Sequence, residues 1–241
     1  MQSLDDIKRF SRAELASYVD ENVRSLTENE ALAILDHPYC GSAICGQIAQ
    51  TQRLTAFYSV RLRLVAHRAT PQAHATKLIH YLYWLDLLRL SVDVKVPAPV
   101  RRAIDNQLLL NVSTLSLGEK IASARACSAA LIKVFLFDPD PKVFAALLIN
   151  PRLREDDLLI VASSERAHPE QLRLLATHVK WSTRYLIRRA VAMNPITPRA
   201  AAASQLRFLN RRDLRAIHGS PGTSVYLRRC IERLEPAMFA E

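Results

Sequence analysis

Glycine is scarce in this chain of 241 residues. The five present are Gly41, Gly46, Gly118, Gly219 and Gly222, and none is spaced as GxGxxG or GxxxxGK[ST]. No backbone loop that cradles a phosphate can be read, which sets aside nucleotide-dependent enzymes of the Rossmann and P-loop kinds. Aromatic residues make up only 7%, too few for a large stacking platform. The four cysteines, Cys40, Cys45, Cys127 and Cys230, are too few and too scattered for a disulfide scaffold, and reduced, buried thiols are expected. Long apolar runs are lacking too. The most apolar stretches, 78–94 and 129–149, are broken by His80, Asp86 and Arg89 in one and by Lys133 and Asp138-Pro139-Asp140-Pro141 in the other, so no membrane span is expected. MQSLDDIKRF carries acids where a secretory leader has a basic region, and a cytoplasmic chain is expected.

What is present reads as helix. Ser11-x-x-Glu14, Thr27-x-x-Glu30 and Ser116-x-x-Glu119 are capping boxes, in which the hydroxyl accepts a first-turn N–H and the carboxylate reaches back to the cap N–H. Thr70-Pro71 and Thr197-Pro198 offer an N-cap followed by proline at the first helical position. Alternating β-branched runs are absent, and apolar residues recur at three and four positions. An all-α fold follows.

Shifting the chain by 127 residues aligns 58–104 with 185–231 without a gap, and twelve of the 47 positions are identical, among them Tyr58/Tyr185, Arg61/Arg188, Thr70/Thr197, Asp86/Asp213 and Arg101/Arg228. A shorter period lies within this one. Apolar i, i+4 pairs begin five helices (Val60 and Leu64, Val100 and Ile104, Val143 and Leu147, Ile187 and Val191, Leu227 and Ile231) at intervals of 40, 43, 44 and 40 residues. That is the length of a two-helix or three-helix repeat. Asn150-Pro151, Asn194-Pro195 and His37-Pro38 mark helix ends, while Asn111-Val112-Ser113 lacks the proline.

Helix, Asn-Pro-x-Thr-Pro, helix, then Asp-Leu opening another helix resembles the HEAT-like and leucine-rich-variant α-helical repeats, over roughly residues 36–234. The resemblance implies an α-solenoid of repeats of about 40 residues, a right-handed superhelix that binds partners along a face and carries no catalytic residues. Residues 1–57, with a formal charge of −3, read as an N-terminal cap, 58–234 as repeat units continuous with it in a single domain, and 235–241 as a tail.

Candidate chemistry is thin. Cys40 and Cys45 form a C-x4-C pair, but an iron–sulfur cluster takes about four thiolates, Cys127 and Cys230 are far away in sequence, and no metal or cofactor is expected. The seven histidines contain no HExxH, and His67 aligns with Asn194, an inter-helix turn. Asp86, near Trp84 and with Trp181 elsewhere in the repeats, suggests comparison with alkylpurine DNA glycosylases built from HEAT-like repeats. Residues two apart on a helix diverge by about 200°, however, and Asp86, Asp157 and Asp213 share an Asp-Leu step, so the helix dipole accounts for all three.

Positive charge is the remaining asset. The net charge is +10, with +6 in residues 58–104 and +8 in 185–231. Arg188, Arg189, Arg207, Arg211, Arg212, Arg215, Arg228 and Arg229 are the candidate binding residues; Arg207, Arg211 and Arg215 form a stripe on a continuous helix and are divided by a break at Asn210. The expected function is a non-enzymatic scaffold for an acidic protein partner, with nucleic-acid binding as the alternative and a glycosylase-like enzyme behind both.

Overall fold

Eighteen α-helices and two 3-10 turns make up the computed structural model, which describes residues 4–238, and no strand occurs among the described residues. The ends of the expected cap and tail, 1–3 and 239–241, lie outside those residues. Two compact units, 1–115 and 116–241, divide the chain. No helix among the described residues is long and apolar enough to cross a membrane.

The first unit runs through α1 (Leu4–Ile7), α2 (Arg12–Asn22), α3 (Glu28–Leu35), α4 (Ser42–Gln50), α5 (Gln52–Thr55), α6 (Tyr58–Ala66), α7 (Gln72–Ile79), α8 (Trp84–Val92) and α9 (Ala98–Asn111). Helices this short are marginal in water, so they persist by burying one face against neighbours. Here α3 and α4 pack on α6, α7 packs on α4 and α9, and α8 on α9. After Asn111, where the sequence has no proline, a 3-10 turn at Val112–Thr114 ends the unit.

The second unit contains α10 (Leu117–Ala126), α11 (Ala129–Phe135), α12 (Pro141–Leu147), α13 (Glu155–Ala162), α14 (Pro169–Thr177), α15 (Tyr185–Met193), α16 (Arg199–Leu206), α17 (Arg211–Gly219) and α18 (Val225–Leu234). Its even-numbered helices pack on one another in succession, as do α13, α15 and α17. All ten residues of the five apolar pairs are buried. Their interval of about 40 residues nevertheless spans three helices, whereas packing returns every second helix. Along the even row, α12, α14, α16 and α18 start at residues 141, 169, 199 and 225, steps of 28, 30 and 26. The stacking step is therefore shorter than the expected repeat. An i, i+4 apolar pair marks any buried helix face and does not tell which row the helix joins.

The two aligned segments fold alike. Helices α6, α7, α8 and α9 begin at 58, 72, 84 and 98, and α15, α16, α17 and α18 at 185, 199, 211 and 225, the same offset of 127 four times. All three expected capping boxes form. The Thr-Pro steps differ from expectation: Pro71 and Pro198 hold the cap position. The Thr197 hydroxyl instead donates to the Val191 carbonyl at 2.7 Å, satisfying an orphan acceptor at the end of the previous helix.

Leu206 is fully buried in the cluster formed by α15 to α18, whereas Val225 is 64% exposed. Leu206→Ala is expected to lower unfolding free energy by about 2–5 kcal/mol in urea titration, and Val225→Ala by less than about 0.5 kcal/mol.

Candidate functional site

The arginine-rich helices are oriented by their apolar stripes. In α17 Leu214 and Ile217 are buried, which turns Arg211, Arg212 and Arg215 to solvent. In α18 Leu227 and Ile231 are buried, and Tyr226 and Arg229 lie outside. Helix α16 ends at Leu206 and α17 starts at Arg211, so the break at Asn210 divides Arg207 from Arg211 and Arg215.

The eight candidate arginines fall into two groups. Four are engaged within the fold. Arg188 donates through Nε to the Ser182 carbonyl and lies 3.8 Å over the Phe208 ring. Arg228 donates to the Ser220 carbonyl at 3.0 Å, Arg189 pairs with Asp213 at 2.9 Å, and Arg211 pairs with Glu235 at 3.0 Å. Two of the four have arginine counterparts in the first unit, which repeat the pattern: Arg61 donates to the Ala56 carbonyl and lies over Tyr81, and Arg101 buries its Nε as Arg228 does. The other four, Arg207, Arg212, Arg215 and Arg229, are exposed and form no ion pair among the described residues.

Asp86 and Asp213 sit in the first turns of α8 and α17, as expected, and each has a second role. The Tyr58 hydroxyl donates to Asp86 and accepts the Tyr83 N–H at 3.1 Å; the Tyr185 hydroxyl donates to Asp213 and accepts the Asn210 N–H at 3.2 Å. One phenol thus ties the start of a helix to the helix two before it, at the same positions in both segments. Burial and the adjacent carboxylate raise the pKa of both phenols, while the Tyr185 hydroxyl, then Arg189, hold Asp213 below the usual carboxylate range. Trp181 is buried and donates its indole N–H to the Leu148 carbonyl at 2.9 Å, a packing role.

The structure also assembles a group that spacing alone does not reveal. Cys40 and Cys45 sulfurs lie 3.6 Å apart, and the Cys45 sulfur lies 3.3 Å from His67 Nδ1. The Cys40 thiol, helped by His67 and Thr70, holds Cys45 well below the ordinary thiol range, while the same pairing pushes Cys40 up. Cys45 is on α4 and Cys40 precedes it, whereas His67 caps the C-terminus of α6, 22 residues away. Its alignment with Asn194 is the only sequence sign of that position, and it indicates a turn rather than a ligand. Cys127 and Cys230 lie in the other unit.

Comparison with protein-family models, curated proteins and solved structures finds no match to this chain.

The Tyr185 bridge generates a test. Tyr185→Phe removes a donor from a carboxylate that is only 9% exposed, and is expected to cost about 1–3 kcal/mol at neutral pH. The folded-state pKa of Asp213 is depressed, so the bridge stabilises above the unfolded carboxylate value, about 3.9, and that contribution is lost as pH falls through the folded value. Chemical denaturation of wild type and variant should therefore converge in acid.

Proposed function

We propose that the chain is a non-enzymatic helical-repeat scaffold of the HEAT-like or leucine-rich-variant type, and that α15 to α18 bind an acidic protein partner. The observation that carries this reading is the set of four exposed arginines, Arg207, Arg212, Arg215 and Arg229, left without ion pairs among the described residues. Arg212 and Arg215 are three apart on α17 and share a face. Exposed apolar and aromatic groups accompany them, including Tyr226 at 47% and Leu186 at 51% exposure. Arginine beside tyrosine is the composition in which protein interfaces concentrate their energy.

A groove supports the same reading. Leu159 of α13, Ser163 just after it, and Leu186, Ala190 and Met193 of α15 line a cleft of about 460 Å³ flanked by Arg189 and Glu165. An extended or helical segment with acidic and apolar residues fits such a lining. Nucleic acid is the alternative, favoured by the +8 charge of residues 185–231. Against it, the Phe208 ring is already covered by Arg188 and by Arg207 at 4.7 Å, which removes an aromatic platform for a base.

The test uses fluorescence anisotropy with labelled acidic, leucine-containing peptide, duplex DNA and single-stranded RNA at two salt concentrations. Peptide binding is expected to weaken at least about 10-fold in the Arg207→Ala/Arg212→Ala/Arg215→Ala variant, mainly through slower association. Tight DNA or RNA binding with a steep salt dependence that flattens in the variant would overturn the ranking.

A further inference from the structure

At one helix end the chain departs in two ways from its aligned counterpart. Asn194, at the C-cap of α15, accepts the Ile196 N–H on Oδ1 and sends its amide back to the Ala162 and Ser164 carbonyls of the preceding turn. Asn150 does the same with the Arg152 N–H and the Ala124 and Cys127 carbonyls, its amide also lying 3.5 Å from the Cys127 sulfur. At the aligned position His67 keeps the first half of that pattern, accepting the Ala69 N–H on Nδ1 at 3.2 Å, but its second contact is the Cys45 sulfur. Three residues on, Thr197 donates to the Val191 carbonyl, whereas the buried Thr70 hydroxyl has no hydrogen-bond partner among the described residues. One polar group that elsewhere ties helix ends is thus turned toward the Cys45 sulfur, and a second is left unpartnered beside it.

We propose that Cys40, Cys45 and His67 form a binding site for one zinc ion, with the fourth coordination position open to the adjacent cleft.

The distances fit. A tetrahedral zinc with Zn–S of about 2.3 Å and Zn–N of about 2.0–2.1 Å holds two sulfurs about 3.8 Å apart, and a sulfur and a nitrogen about 3.6 Å apart. The observed separations are 3.6 Å and 3.3 Å, and all three ligand atoms lie within 4.8 Å of one another. Small side-chain movements suffice for one cation to touch all three. The Ala69 N–H at Nδ1 places the imidazole proton on Nε2, the tautomer in which Nδ1 carries the lone pair for a metal. Binding diverts that lone pair from the Ala69 N–H. Two thiolates and an imidazole suit a borderline-soft cation and disfavour magnesium or calcium.

The surroundings match an incomplete tetrahedron. Cys45 is fully buried and Cys40 is 7% exposed, so the site is held by the fold. Cys40 and His67 line a cleft of about 620 Å³ that also contains Asp36, Arg63, Arg68 and Lys95. Asp36 is paired with Arg63, and no fourth histidine, cysteine or carboxylate among the described residues joins the group within 4.8 Å, so the fourth position falls to water. Arg63, Arg68 and Lys95 bring positive charge to the cleft, whereas the Asp36 carboxylate opposes ionisation of Cys40. Zinc displaces the thiol protons, so its affinity rises with pH.

The experiment is a zinc titration of the reduced full-length chain in competition with a chromophoric chelator, with cobalt as a spectroscopic probe. One zinc per chain is expected, together with a thiolate-to-cobalt charge-transfer band and a raised melting temperature on zinc addition. His67→Asn installs the side chain that the fold uses at Asn150 and Asn194, so it should keep helicity while weakening zinc binding at least about 10-fold. Cys45→Ser should abolish the charge-transfer band. Failure of the reduced wild type to compete with the chelator, or zinc binding unchanged in folded His67→Asn, would overturn the proposal.

Discussion

No residue among those described has a positive φ. In most helical proteins many helices stop at a glycine in the left-handed region, which lets the chain turn while satisfying the last carbonyls. A chain with five glycines and, among its described residues, 18 mostly short helices must end them otherwise. It does so with side chains. His67, Asp93, His178 and Asn194, at the C-caps of α6, α8, α14 and α15, each accept the N–H two residues on. Thr197 and Thr223 donate to carbonyls six residues back, and Arg188 and Arg228 reach carbonyls of the preceding loops. Every short helix leaves unpaired groups at both ends, and these side chains answer that one constraint.

It also sorts the residues that carry potential chemistry. His37, His168 and His178 accept turn or cap N–H groups on Nδ1. Trp181 and Gln171 donate to carbonyls of earlier helix ends. Asp86 and Asp213 are held by tyrosines that bridge to the helix two before. Outside this pattern stand four of the eight candidate arginines in the last helices, exposed and without ion pairs among the described residues, and a pair of thiols facing an imidazole. The two proposals rest on those remainders, each within its own compact unit.

Much of the fold was legible because its signals are local. The capping boxes at Ser11, Thr27 and Ser116 depend only on residues three apart, and the five apolar pairs on residues four apart; all are realised. The offset of 127 also holds for the helix starts. The stacking step was not legible, because an apolar pair identifies a buried face without naming the neighbour it meets. The candidate site was read less well for the same reason. Arginine spacing gave the charge of 185–231 but could not separate Arg189, which meets Asp213 from another helix, from Arg212, which faces water. The contact between His67 and Cys45 joins two helices and has no local spacing at all.

The central claim is that side-chain acceptors, rather than left-handed residues, end these helices, and the histidines report on it directly. Long-range proton–nitrogen NMR correlation of the imidazoles, in the reduced, metal-free chain in mildly alkaline buffer, reads which ring nitrogen carries the proton. His37, His67 and His178, which follow helix C-termini, are predicted to hold it on Nε2, with Nδ1 occupied by a backbone N–H. Protons on Nδ1 in these residues would contradict the account.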